Sequence, residues 1–242
     1  MKRIIVATVF VLVATLAFTQ KSSKNLRIGF MLEPNIAWFH PVENGVQSDG
    51  AKVGINYGLM LDYEFAENYI FSTGLKVEHV GGKLSYTANS NKTGYITPDV
   101  MNPPPTIAPT NTANYNIGIQ YIQIPFAIKL KTDNRGTMNY WGSFGGFISV
   151  PVKARADVQT NFAVGGVTNY SKDNDNVIGL VQPISVGMQI GAGVEIPFAD
   201  KNSFVVGLTF NNGFIDVTRN SKFGDDGRIN LNNIALKLGV FF

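Results

Sequence analysis

From Val53 onward the apolar residues fall on every second position: Val53, Ile55, Tyr57, Leu59, Leu61, Tyr63 and Phe65. Gly54, Asn56, Gly58, Met60, Asp62 and Glu64 lie between them. A strand points alternate side chains to opposite faces, so this run predicts a strand with large apolar groups on one face and small or polar groups on the other. Strands of soluble proteins average about 5–6 residues, and this alternation lasts roughly twice as long.

Seven more segments repeat the pattern: Leu26–Trp38, Tyr69–Val77, Ile122–Leu130, Tyr140–Val150, Ile184–Phe198, Phe204–Asn211 and Ile234–Phe242. Most match the span of about 9–11 residues that a tilted membrane strand requires. The pattern therefore predicts an all-β, eight-stranded, antiparallel up-and-down transmembrane β-barrel. Two stretches change parity. Ile117, Ile119 and Tyr121 fall on the opposite parity from Ile122 onward, and Asn230 and Asn232 sit on the outward parity of the last segment. A bulge, or a strand rising above the lipid, accounts for either.

The connections alternate in length. Ala66–Asn68, Thr132–Thr137 and Ala199–Asn202 are short. The others are expected to be long: about a dozen residues from His40, the stretches from Thr87 to Tyr115 and from Lys153 to Leu180, and about a dozen residues from Ile215. Short periplasmic turns and longer extracellular loops are the pattern of outer-membrane barrels. It predicts both termini on the periplasmic side. Tyr63, Phe65, Tyr69, Phe71, Tyr140, Trp141, Phe198, Phe204 and Phe242 cluster at strand ends and are expected to form an interfacial girdle.

Composition supports this picture. Charged residues make up 15% of the chain, against about 25% in typical soluble proteins. There is no cysteine, which excludes disulfides, a lipoprotein anchor, thiolate metal sites and a cysteine nucleophile. Lys2 and Arg3, the apolar run Ile4 to Leu16 and Ala17-Phe18-Thr19 read as a signal peptide over 1–19. That leaves 20–242 as the barrel domain. Its removal takes the net charge from +3 to +1, and no basic run suggests nucleic acid.

The polar parity carries Arg27, Glu33, Lys52, Asn56, Asp62, Glu64, Lys76, Glu78, Gln123, Lys129, Gln189, Glu195 and Lys237. An eight-stranded barrel has an interior just wide enough for side chains to fill it. These groups are therefore expected to pair across the lumen and plug it, with Lys76, Glu78, Glu195 and Lys237 near the centre. The alternative is a narrow ion path. Chemistry elsewhere is thin. His40 near Glu43, Ser48 and Asp49 could be a rim triad, but a triad is defined by geometry. His79 falls on the outward parity. Lys172–Asn176 holds acidic residues without the glycine and distal glutamate of a calcium loop. Asp225 and Asp226 lie in another long connection, and Thr97–Thr112 is proline-rich and expected to be extended. The chain reads as a non-enzyme with no cofactor or metal. Its partners are membrane lipid and a protein or surface ligand at the long loops.

Three stretches resemble the small outer-membrane β-barrel family of Bacteroidota, often labelled PorT-like or porin family. They are Ile28-Gly29-Phe30 to Asn35, Gly58-Leu59-Met60-Leu61-Asp62-Tyr63 and Tyr121-Ile122-Gln123-Ile124-Pro125-Phe126. The last is similar to the family's Tyr-Leu-Glu-Ile-Pro-Leu stretch. The end of the chain, with Gly239, Val240 and Phe242, resembles the segment read by the barrel-assembly machinery. The architecture implied is that of the OmpA transmembrane domain or OmpX, without a peptidoglycan-binding domain. One branch of the family serves type IX secretion, so the resemblance leaves two roles open. The first is a structural or binding barrel, and the second is transport, as a channel or a secretion subunit. A rim enzyme is a remote third.

Overall fold

The computed structural model describes residues 25–42, 46–87, 112–132, 137–161, 171–198, 202–219 and 228–242. They form nine strands: β1 (Leu26–Pro41), β2 (Val46–Ala66), β3 (Tyr69–Thr87), β4 (Thr112–Lys131), β5 (Asn139–Thr160), β6 (Ser171–Asn176), β7 (Ser185–Pro197), β8 (Ser203–Gly213) and β9 (Ile229–Phe241). All pairings are antiparallel. Eight strands close a ring in which each sequence neighbour pairs with the next and β9 returns to β1 over Gly29↔Phe241 to Pro41↔Ile229. Closure removes sheet edges, so every backbone group can be satisfied within the wall.

The ninth strand is the short β6. It pairs with the far end of β5, and β7 pairs with the near end. Between them the chain buckles into a 3-10 turn at Ile178–Leu180. β6, the turn and β7 thus form one broken strand. The stretch Lys153 to Leu180, expected to be a loop, is largely the end of β5 and this broken strand. Residues 1–24, which include the expected signal peptide, Glu43, the residues 88–111, Asp225 and Asp226 lie outside the described residues.

One end of the ring carries Asn25, Phe242 and the strand ends joined by the three short connections β2–β3, β4–β5 and β7–β8, and is called here the turn end. The other is the loop end. The strands climb well past the expected boundaries at the loop end. β1 runs to Pro41 and β2 begins at Val46, so only residues 42–45 separate the two strands, where about a dozen were expected from His40. Gln47, Ser48 and Asp49 look like a loop because they are polar. In the fold they belong to a bulged strand, where the register shifts between Ser48 and Gly50 and Gly50 adopts φ 140°. A positive φ of this kind suits glycine.

The parity change in β4 has a single explanation. Alternation is continuous from Ala113 to Lys129, every odd residue facing the lumen. Inside and outside never exchange; what inverts is which side is apolar. Ile122, Ile124, Phe126, Ile128 and Leu130 are exposed on the outer wall, and Tyr115, Ile117, Ile119 and Tyr121 are buried within. The neighbours switch at the same level. Outward residues pass from Val77 to His79 on β3, from Val152 to Lys153 on β5 and from Ile234 to Asn232 on β9. Inward residues pass from Glu78 to Val80, from Ser149 to Ala154 and from Asn233 to Leu231. Register puts Val77 beside Ile122, Glu78 beside Tyr121 and Ile122 beside Val150. Below this level the barrel is apolar outside and polar inside, as lipid demands. Above it the barrel is built like a water-soluble one. A bulge exists as well, but on β5. Val152 is extra between Tyr121↔Pro151 and Gln120↔Lys153, and it keeps the taller wall in phase.

Candidate functional site

The lumen is the candidate site, and it is filled in layers. Nearest the turn end, Glu195 is buried and receives four donors. Arg27 donates from one side, Lys129 Nζ lies 3.3 Å from Oε2, and Lys131 Nζ and Ser203 Oγ each lie 3.0 Å from Oε1. Asp62 completes the layer, with Lys129 Nζ at 2.8 Å and the Ser72 hydroxyl donating at 2.7 Å. β1, β2, β3, β4, β7 and β8 each contribute, so the layer ties most of the ring together.

An apolar layer of Met31, Met60, Trp141, Val205 and Phe241 adjoins it. Lys129 Nζ lies 5.5 Å from the Trp141 ring and 5.2 Å from that of Phe241, and the Arg27 guanidinium stands 4.6 Å over Phe241. These are cation–π distances. Trp141 is therefore not part of the girdle expected from its place near a turn. Its odd position on β5 turns it inward, where it is 5% exposed.

The next layer is Lys76 between Glu33 Oε2 at 3.2 Å and Glu78 Oε1 at 3.5 Å. Asn233 Nδ2 donates to Glu78 from across the barrel at 3.1 Å. Lys237 faces the same interior with its Nζ 5.9 Å from the Trp141 ring and joins no ion pair among the described residues. Buried charges are tolerated when they are paired and hydrogen-bonded, and both ionic layers meet that condition.

Above them the β2–β3 ladder breaks between Ala51 and Tyr57. Two amides stitch the gap. The His79 N–H donates to Asn56 Oδ1 at 3.0 Å, Asn35 Nδ2 donates to the same oxygen at 2.8 Å and also reaches the His79 carbonyl at 3.1 Å. Gly54 is required here, since a Cβ would lie 2.0 Å from the His79 oxygen.

The loop end is closed by a hydrophobic core inside the barrel. Phe39, Leu84, Tyr86, Tyr115, Ile117 and Tyr121 pack with Val177, Val181 and Val217. The 3-10 turn bends inward to supply part of it. Val181 bridges to Thr218, and Ile178 and Leu180 pack against the cluster. A void of about 10 Å³ remains in this core and one of about 20 Å³ among the polar layers beside Asp62, Lys76 and Gln189. A water needs about 10–15 Å³ of such space and polar partners as well, so the polar void suits a single water and the apolar one does not.

The sequence model of the outer membrane protein beta-barrel domain family matches residues 18–219. The chain belongs to that family. This outer-membrane barrel is also similar in fold to solved structures of low sequence identity. They include Neisserial surface protein A (14% identity, TM-score 0.42, 88% of this chain and 95% of that one). The attachment invasion locus protein Ail of Yersinia pestis is similar at 10% identity and TM-score 0.41, over 90% of this chain and 99% of that one. OprG of Pseudomonas aeruginosa is similar at 9% identity and TM-score 0.43, over 88% of this chain and 95% of that one. No curated protein sequence matches the chain.

Within this outer-membrane barrel the expected site residues sort cleanly. Arg27, Asp62, Lys129 and Glu195 share one layer, Glu33, Lys76 and Glu78 another, and Gln123 and Gln189 are buried in the lumen wall. Glu64 is on the inward parity but stands exposed at the turn-end mouth, outside both layers. Lys52 does not face the lumen. Its Nζ reaches Asn116 Oδ1 at 3.3 Å on the outer side of β4, because the break in the ladder turns it over the wall. Lys131, Ser72, Ser203 and Asn233 were not singled out from sequence. The signal for them was available in strand parity or turn position, but not their cross-barrel partners. Gly239 lies inside against Met60, and Phe242 faces outward with its ring 5.5 Å from that of Phe30. His40 is exposed on the outer side of β1 opposite Asn230, and Ser48 and Asp49 are exposed in the β2 bulge. Lys172 and Asp175 form an ion pair of 2.8 Å on β6. Among the described residues no group of three His, Asp or Glu could hold a metal.

Proposed function

We propose that this outer-membrane barrel is a non-enzymatic, non-conducting scaffold that presents its loop end to the outside of the cell as a binding surface. The observation that carries this reading is the double closure of the lumen, by ionic layers within the lipid-embedded half and by a hydrophobic core above it. A water-filled path needs a continuous polar lumen, and the apolar core from Phe39 to Val217 interrupts one. The taller half invests many residues in a rigid rim, and exposed segments on a rigid scaffold are where binding usually resides. Short turns at one end and longer connections at the other support a periplasmic turn end, with both termini there. In this reading Gly239, Val240 and Phe242 form the segment that the barrel-assembly machinery takes up. The likeness to the PorT-like family of Bacteroidota supports a protein partner at the loop end, such as another subunit of a membrane assembly.

The test is planar-bilayer recording of the purified, refolded full chain. The expected result is a silent bilayer across the physiological voltage range. Reproducible unitary conductance steps would overturn the scaffold reading in favour of a narrow channel.

A further inference from the structure

The outer wall carries a cleft of about 340 Å³ just above the level where its polarity inverts. Lys52, Gly54, His79, Gly118, Lys153 and Arg155 line it. The broken β2–β3 ladder opens it, and Gly118 leaves room in it for Lys52. A Cβ on Gly118 would approach Lys52 Nζ to 3.0 Å.

Three cations converge there with no carboxylate in an ion pair to any of them among the described residues. Lys52 has one amide oxygen at 3.3 Å. Lys153 is exposed. Arg155 donates from Nη1 to the Asn174 carbonyl at 3.0 Å, while its Nε is buried and has no hydrogen-bond partner. The neighbouring Asp157 is engaged elsewhere, accepting from Asn116 Nδ2 at 3.1 Å and from the Asn174 N–H at 2.8 Å. His79 stacks on Tyr57 with ring centroids 5.9 Å apart, and its Nδ1 lies 2.9 Å from the Ile55 carbonyl. A carbonyl only accepts, so Nδ1 carries a proton.

The wall directly below is apolar and exposed. Val53, Ile55 and Tyr57 on β2, Ile122 on β4 and Val150 and Val152 on β5 all face outward. A ligand in the cleft thus meets concentrated positive charge at one end and a hydrocarbon-facing surface at the other. Converging Lys and Arg donors suit a multiply charged tetrahedral anion better than a single carboxylate.

We propose that this cleft binds the phosphate headgroup of an outer-leaflet lipid, whose acyl chains lie against Val53, Ile55, Ile122 and Val150. The leaflet assignment rests on the orientation proposed above, while binding in micelles is independent of it. The full chain, purified in a neutral detergent, is titrated with three probes: a bisphosphorylated glucosamine glycolipid, the same lipid without phosphates, and inorganic phosphate. Native mass spectrometry reads the bound fraction. The expected result is retention of the phosphorylated lipid, at least tenfold weaker binding of the dephosphorylated one, and inorganic phosphate bound only at far higher concentration. Substituting Lys52→Gln, Lys153→Gln and Arg155→Gln together should weaken the phosphorylated lipid at least tenfold. Heat-modifiable gel migration shows that the variant is folded. If it is not, Lys153→Gln alone, an exposed position, should weaken binding about threefold. Equal affinity for the dephosphorylated lipid, or no loss in the folded variant, would overturn the proposal. Inorganic phosphate binding as tightly as the lipid would replace it with a free-anion site. Surface labelling of intact cells tests the orientation separately.

Discussion

Lys76 shows how a single buried residue is held in a lipid-embedded wall. It is 3% exposed, and its ammonium lies between two carboxylates on β1 and β3. Removing one partner of a buried ionic cluster leaves uncompensated charge and costs about 3–5 kcal/mol, whereas replacing the whole cluster with neutral groups is often far cheaper. Lys76→Met should therefore destabilise the barrel by about that amount in urea unfolding from micelles. Combining it with Glu33→Gln and Glu78→Gln should restore most of the loss. If the triple variant proves no more stable than the single one, the cluster is not held together by its charges. Parity makes the inward direction of Lys76, Glu33 and Glu78 legible in the sequence. Their meeting is not legible, because Glu33 and Lys76 sit on strands separated by β2 and only ring curvature brings them to 3.2 Å.

At the scale of one element, β4 carries the clearest lesson. Ile119 and Ile122 are three residues apart and equally apolar, yet one is buried in a protein core and the other is exposed to lipid. The environment changes along the strand while its alternation does not. A cation on the lipid-facing wall of a barrel costs about 2–4 kcal/mol at mid-membrane and about 0–1 near the interface. Ile124→Lys and Phe126→Lys should thus lower stability in phospholipid vesicles by roughly 2–4 kcal/mol. Gln120→Lys and Asn114→Lys, on the same face above the inversion, should cost little. Heat-modifiable migration through a urea titration reads each variant. An equal penalty at Asn114 and Phe126 would place the hydrocarbon edge elsewhere.

For the whole molecule, the two tryptophans report the sense of the ring. Trp38 lies on the outer parity of β1 and stacks on Phe210, with ring centroids 6.4 Å apart, while Trp141 is enclosed by the lumen. In vesicles of brominated lipid, the Trp141→Phe variant, which keeps Trp38, should lose much of its fluorescence. The Trp38→Phe variant, which keeps Trp141, should be quenched far less. Equal quenching of both would mean that the lumen admits lipid or that the ring is turned inside out. Closure also sets what the barrel offers its surroundings. With the interior occupied by ionic layers and a hydrophobic core, the surfaces left for recognition are the rim and the outer wall, including the basic cleft at Lys52, Lys153 and Arg155.

The sequence by itself determined the class of fold, the number of ring strands, their parity and the short connections between β2 and β3, β4 and β5, and β7 and β8. These follow from a period of two and from local turn chemistry, both of which act between near neighbours. The tertiary structure decided how far the strands rise. Gln47–Asp49 and Lys153–Thr160 are polar enough outside to pass for loops, and pairing of Gln47 and Ser48 with β3, and Ala154, Ala156 and Val158 held inward, show them to be wall. It decided that Trp141 closes the lumen and that Lys52 leaves it for the outer face. It also brought Glu195 to Arg27 and Glu78 to Asn233. Each of these depends on residues far apart in sequence meeting through curvature and register, which no local pattern encodes.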